Sequence, residues 1–366
     1  MKKNYLLHVF LSIILVFTLI DMVTPDKKFS DMENRNLRAK VKFTIKDFLD
    51  GTFPKRYEEY INDQFIGRNQ WINLKSRSEY ILGKVENNGI IYGKDNYLFE
   101  KLNDINEDRL KHNIEGVNKF IEKRKEHISF MIIPSSYEVY KDKLPIGAPV
   151  VNQEKVIEDI YNKVIEANNI NLLSIMQNNR DEYIYYRTDH HWTTYGAYLG
   201  YKEFIESIGG TPIDINRLNK ESIDNFYGSY FSRSKAFNSI ADTLEYYEFK
   251  DIEMKIEDEI YDNLYDYEYL NTRDKYSMFL RGNNGLTIIK NKRFDNGKKL
   301  VIFKDSFGNS MIPFLTMNFE EIHVVDLRAF MINVNTYISN NDFDEVLIMY
   351  SLPNFLRETN IIKLKL

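Results

Sequence analysis

Two short segments, Thr188-Asp189-His190-His191-Trp192-Thr193 and Lys304-Asp305-Ser306-Phe307-Gly308-Asn309, hold the residue types with which a protein attacks an acyl group. Between them they offer a carboxylate, an imidazole and a hydroxyl, the orienter, base and nucleophile of acyl transfer. In an extended segment side chains alternate, so Asp189 and His191 project to one side and His190 and Trp192 to the other. Asp189 can then accept from one imidazole nitrogen of His191, fix the tautomer and leave the second nitrogen as a base. His190 and Trp192 are expected to support the loop. An isolated Asp-x-His is more often a hydrogen-bonded core histidine than a catalytic one, and the second segment shifts that balance.

Ser306 follows the apolar run Leu300-Val301-Ile302-Phe303 and precedes a helical stretch from Asn309 to Met317, so it sits at a strand-to-helix turn. Backbone N–H groups are unpaired there and the helix dipole is positive, a setting that can hold an oxyanion. Gly308 permits close backbone approach. Asp305 or Ser306 could equally cap the helix, but only Ser306 combines strand end, turn and following glycine, while Ser310 falls in the next turn. Asp-His-His also occurs in manganese phosphoesterases. Those need further aspartate ligands beside neighbouring strands, and Asp104 and Asp108 follow no predicted strand, so neither a metal nor an organic cofactor is expected.

The elements that must position these groups alternate in period. Helical stretches are predicted over Leu110–Lys125, Val156–Ala167 and Thr194–Ile208, the last capped by Thr193 or Thr194. Strands are predicted at His127–Ile133, Ile170–Ile175, Tyr183–Tyr186, Leu300–Phe303, Ile322–Val325 and Glu345–Met349. Short buried strands alternating with helices indicate an α/β fold, a mainly parallel sheet covered on both faces, with the chemistry beyond the carboxyl ends of the strands. Arg328 and Asn354, after two of those strands, and Gly308 and Asn309, beside the serine, are candidate substrate contacts; the first two could equally be capping or surface residues. Residues of about 227–295 break the rhythm, being rich in Tyr, Asp and Glu, and read as an antiparallel or irregular insertion.

The N-terminus indicates location. Lys2 and Lys3 precede the apolar run Tyr5–Ile20, which approaches a bilayer-spanning length, and no small-residue cleavage site follows. Residues 1–24 read as a retained signal anchor, with a cleaved signal peptide as the alternative, and the rest lies outside the membrane. Residues 25–103 form a polar lead and a helical region in which Asp63, Gln64, Phe65 and Arg68 are either substrate contacts or solvated surface. Residues 104–366 form the catalytic domain. The formal net charge of -5 and the mixed signs along the chain exclude a basic nucleic-acid footprint, and the absence of cysteine excludes disulfides and thiolate zinc sites.

On these motifs the chain resembles the DHHW family, which is similar to the alginate O-acetylation enzymes and is a permuted relative of the SGNH hydrolases. The resemblance rests on Glu33-Asn34-Arg35, Asn62-Asp63-Gln64-Phe65 with Arg68, Ile133-Pro134 with Tyr140 and Leu144-Pro145, Thr188 to Thr193, Asp305 to Gly308, and Asp326-Leu327-Arg328. It implies Ser306 as nucleophile, His191 as base and Asp189 as orienter, in an order that permutation explains. It also implies a polysaccharide acceptor outside the cell and a multispanning membrane-bound O-acyltransferase as acetyl donor. The expected activity is transfer of acetyl through an acetyl-serine; a carbohydrate acetyl-esterase with the same residues, and a catalytically silent polysaccharide-binding protein, are the alternatives.

Overall fold

Four segments of almost unbroken apolar character, HISFMII, KLVIFK, EIHVV and EVLIMYS, are buried nearly throughout and form the centre of the sheet. Strands hidden on both faces read this way because no position faces water. In the computed structural model, which describes residues 5–365, the principal sheet has eight strands. They are β1 (His127–Ile133), β2 (Asn168–Asn171), β3 (Ile252–Ile256), β4 (Glu259–Tyr261), β5 (Leu286–Asn291), β6 (Lys299–Lys304), β7 (Glu321–Val325) and β8 (Glu345–Ser351). Their order across the sheet is β4-β3-β5-β7-β6-β8-β1-β2. From β7 to β2 every pair is parallel, with Leu300 opposite Ile322 and Glu345, and Val346 opposite Ile128. β5, β3 and β4 add on antiparallel, with Ile288 opposite His323.

The sheet is therefore mixed, and the tyrosine-rich stretch supplies its three antiparallel strands. Its strands β3 and β5 largely alternate buried positions with half-buried or exposed ones, as one-sided antiparallel strands do. Asp242–Tyr247, also within the stretch, pairs as a hairpin with Lys220–Phe226, which immediately precedes the stretch. Two predicted strands also differ. The strand near Ile170 ends at Asn171, whose side chain accepts from the Leu173 amide and starts a helix over Leu172–Asn178. A short apolar run suits a buried helix as well as a strand, and the cap decides. Tyr183–Tyr186 makes a single bridge, Tyr185 to Trp192, rather than a strand.

Helices cover both faces. On β1, Ser129 faces Asn168, whose amide also donates to Ser207 of the helix Thr194–Ser207. The next residue, Phe130, faces Phe355 and Tyr161 on the opposite side. A small sheet over residues 86–100 contributes Ile91, Tyr97 and Phe99 to the same buried cluster as the principal sheet.

N-terminal to this body are α1 (Tyr5–Val23), α2 (Ile45–Leu49), α3 (Thr52–Gln64) and α4 (Arg68–Ile81). α1 is apolar on all sides and long enough to cross a membrane. Lys2 and Lys3 lie outside the described residues.

Candidate functional site

The Asp189–His191 loop is held from three directions. Thr193 donates its amide to Ile184 O (2.9 Å) and its hydroxyl accepts from the Gly196 amide (3.2 Å), capping α5 (Thr194–Ser207). Asp242, buried in the hairpin, accepts from the amides of Arg187 (2.8 Å) and Thr188 (2.9 Å), from the Thr188 hydroxyl (2.5 Å) and from the Tyr183 hydroxyl. Burial pushes the Asp242 carboxyl up, with these donors opposing. The third support is α6 (Ser229–Ser234), whose first amide donates to Asp189 Oδ2 at 2.7 Å. Gly228 lies so close that a Cβ there would overlap the Asp189 carboxylate.

Within this frame Asp189 Oδ1 accepts from the His191 amide (3.0 Å) and pairs with His191 Nδ1 (2.6 Å). Burial disfavours the charged carboxylate, but the neighbouring imidazoles and the bonds from His191 and the Ser229 amide hold the Asp189 carboxyl well below the usual range. His191 Nε2 lies 2.7 Å from Ser306 Oγ. The three groups named from the sequence therefore meet as a continuous hydrogen-bonded chain.

His190 does not face away. Its ring lies 3.7 Å from that of His191 and its Nδ1 is 2.6 Å from Ser229 Oγ, because the segment is a tight turn rather than an extended strand. Burial, and the charge that His191 would place beside it, pull the His190 imidazole down to about 4, so it stays neutral at physiological pH. Trp192 takes the supporting role expected of it, donating from Nε1 to Phe307 O and Ser310 Oγ, both at 3.0 Å.

Ser306 sits between β6 and α7 (Gly308–Leu315). Asp305 shapes its turn: Oδ1 accepts from the Phe307 amide (3.0 Å), and Oδ2 accepts from the Ser351 amide (2.9 Å), the Ser351 hydroxyl (2.7 Å) and Asn354 Nδ2 (2.7 Å). Among the described residues the Ser306 amide has no acceptor, so it remains available to an oxyanion beside the hydroxyl.

The four candidate substrate contacts each have protein partners. Asn354 steadies Asp305. Asn309 is buried, accepts from Lys304 Nζ (2.6 Å) and donates to Gly282 O and Asn283 Oδ1 (3.2 Å each). Gly308 makes room for Lys304, whose aliphatic stem would lie 3.0–3.2 Å from an added Cβ; its backbone φ is not the reason for the glycine. Burial pulls the Lys304 ammonium down to about 8. Arg328 forks onto Asp326 (2.8 and 2.5 Å). Asp63 and Arg68, the other candidates, join Glu33 and Arg35 in an ion-pair network.

Sequence reasoning missed Tyr276, Gly228 and Asp242. The Tyr276 ring stacks on His191 at 3.7 Å and 8°, and its hydroxyl reaches Ser306 O (3.1 Å) and Ser310 Oγ (3.0 Å). Nothing distinguishes it from its neighbouring tyrosines in sequence. Gly228 does carry a signal, since no other glycine lies between Gly210 and Gly282.

Asp189, His190 and His191 could offer a cation three ligand atoms within 4.8 Å of one another. The set does not fit a metal well, because Asp189 Oδ1 and His191 Nδ1 are spent on each other and His191 Nε2 on Ser306.

The sequence model of the DHHW protein family matches residues 92–325. The chain is similar to the probable alginate O-acetylase AlgJ of Pseudomonas fluorescens, at 26% identity over an alignment of 178 residues, with 45% of this chain and 45% of that one covered. It thus spans less than half the length of the curated relatives it matches. A crystal structure of a DHHW family protein from Eubacterium siraeum is similar with a TM-score of 0.65 and 26% identity, covering 77% of this chain and 96% of that one. PatB1 of Bacillus cereus, in a structure with a sulfonyl adduct, shares the fold with a TM-score of 0.64 and 22% identity, covering 76% of this chain and 98% of that one.

Proposed function

Because the chain belongs to the DHHW family, we propose that it is an extracytoplasmic O-acetyltransferase that carries acetyl on Ser306 and passes it to hydroxyls of a cell-surface or secreted polysaccharide. The observation that carries this reading is the hydrogen-bonded chain from Ser306 Oγ through His191 to Asp189. Similarity to a probable alginate O-acetylase supports the transferred group, and the apolar α1 supports a membrane anchor. The order Asp189, His191, Ser306 supports a permuted SGNH arrangement.

His191 Nε2 takes the proton of Ser306 as Oγ bonds to the acetyl carbonyl carbon, and negative charge gathers on the carbonyl oxygen near the Ser306 amide. The carbon–oxygen or carbon–sulfur bond to the donor breaks, the imidazolium protonates the leaving group, and acetyl-Ser306 remains. A sugar hydroxyl then gives its proton to His191 and attacks the ester, returning Ser306 to its free form. Asp189, kept ionised, stabilises the imidazolium in both halves. The acetyl group reaches the site from a multispanning membrane-bound O-acyltransferase.

Ser306→Ala should abolish turnover of p-nitrophenyl acetate and the acetyl adduct seen by mass spectrometry on the intact protein. Unchanged turnover in that variant would overturn the reading. With an oligosaccharide present, acetyl should move from water to sugar; acetate as the sole product would make the protein a carbohydrate acetyl-esterase.

A further inference from the structure

The N-terminal helices carry large apolar side chains that stand about half exposed or more. On α2, Ile45, Phe48 and Leu49 fall at i, i+3 and i+4 and are 72%, 52% and 79% exposed. On α4, Trp71, Leu74 and Ile81 share one face and are 48%, 54% and 82% exposed. Basic residues outnumber acidic ones from Arg38 to Lys84, in a chain whose formal net charge is -5. Aromatic and aliphatic stripes flanked by Lys and Arg are the composition of helices that lie in a membrane interface.

Position supports the same conclusion. Phe17 of α1 stacks on Phe65 at 5.8 Å and 12° and meets Trp71 at 6.1 Å. Phe17 precedes the end of α1 at Val23 by six residues, which is about 9 Å along a helix. If α1 spans the bilayer, Phe65 and Trp71 sit below its outer end, at the headgroup–acyl boundary. Hydrogen bonds fix this placement where the chain leaves α1: Tyr60 donates to Asp26 (2.8 Å), and the Gln64 amide exchanges bonds with the Lys27 backbone (2.9 Å each) and donates to Arg38 O (2.8 Å).

We propose that α2 and α4 are a membrane seat, lying on the outer surface of the lipid bilayer with these six apolar side chains immersed beside the spanning α1. This rests on the reading that α1 is retained as an anchor. The seat is joined to the catalytic loop: Glu33 pairs with Arg68 of α4 and with Lys235, which directly follows α6, the helix whose amide holds Asp189. The reactive serine is thereby held at a set height above the lipid from which acetyl arrives.

The chain has two tryptophans, and Trp192 is wholly buried, so Trp71 reports on the seat. The full chain is reconstituted into vesicles of phosphatidylcholine and phosphatidylglycerol, recovered by flotation, and its emission measured with lipids brominated near the headgroup end of the acyl chain and with aqueous iodide. Quenching by bromolipid that disappears in Trp71→Phe, with little iodide quenching, is the expected result. Chains that float but whose Trp71 is open to iodide and insensitive to bromolipid overturn the seat while leaving the anchor, and leave this face to a protein partner. Quenching that persists unchanged in Trp71→Phe, or failure to float, also overturns it. Turnover of p-nitrophenyl acetate is read separately, so loss of the seat and loss of the proposed chemistry are distinguishable.

Discussion

His191 has an oxygen partner at each end of its imidazole, Asp189 at 2.6 Å and Ser306 at 2.7 Å, with Tyr276 stacked on the ring. A ring held at both nitrogens and one face has little freedom, so each neighbour should register in kcat more than in KM. Asp189→Asn keeps the shape but removes the charge that stabilises the imidazolium. It should lower kcat by about 10²- to 10⁴-fold without unfolding the protein, as steady-state turnover of an activated acetyl ester would reveal. Tyr276→Phe keeps the stack and should stay within several-fold of the parent, whereas Tyr276→Leu, which frees the ring, should lose on the order of 10-fold or more. Equal activity of the two Tyr276 variants would deny the stack a role. Ser306 and the Asp-x-His pair were legible because their residue types announce the chemistry; Tyr276 was not, because its role depends on which of many tyrosines the fold lays over the imidazole.

At the scale of elements, the site is a junction of three connections: the turn before α5, the turn between β6 and α7, and the start of α6. Trp192 joins the first two through Phe307 and Ser310, and Asp189 joins the first to the third through Ser229. Gly228 is where the third junction leaves no space. Gly228→Ala should displace the Asp189 carboxylate, lower turnover by about 10²-fold and destabilise the fold by about 1–3 kcal/mol, measured by ester turnover and chemical denaturation on the same preparation. A variant with parental activity and stability would show that the loop yields at no cost. The strand-turn-helix setting of Ser306 could be read from sequence, since an apolar run followed by Asp-Ser-Phe-Gly has few alternatives. The hairpin carrying Asp242 was hidden in the tyrosine-rich stretch, where alternation shows strands but not their partners.

For the whole molecule, buried imidazoles tie stability to pH. His190, held down to about 4 by burial and by the His191 charge, remains neutral in the folded state where the unfolded chain already takes up protons near 6.5, and His323, lowered chiefly by burial, shifts in the same direction. The unfolded state then binds more protons, so stability falls as pH drops from about 6.5 towards 4. Below the ordinary carboxylate value of 3.8 the depressed Asp189 adds a further loss of the same sign. Thermal midpoints recorded across that window should decline, and the decline should flatten in a His190→Gln, His323→Gln double variant; an equal slope in the variant would assign the effect to other groups.

The linear chain determined what depends on residue type and local order. This covers the apolar run at Tyr5–Ile20, the four buried central strands, a helix cap at Thr193 or Thr194, and the serine, histidine and aspartate that could transfer an acyl group. These follow from periodicity, propensity and intrinsic chemistry, which act over a few residues. Tertiary structure alone decided that β3 to β5 extend the sheet antiparallel, that Asn309, Arg328 and Asn354 bond to the protein's own groups, and that Tyr276 covers His191. Those outcomes depend on contacts between residues far apart in the chain. Such pairings are selected by the combined burial and hydrogen bonding of the whole core, which no local window contains.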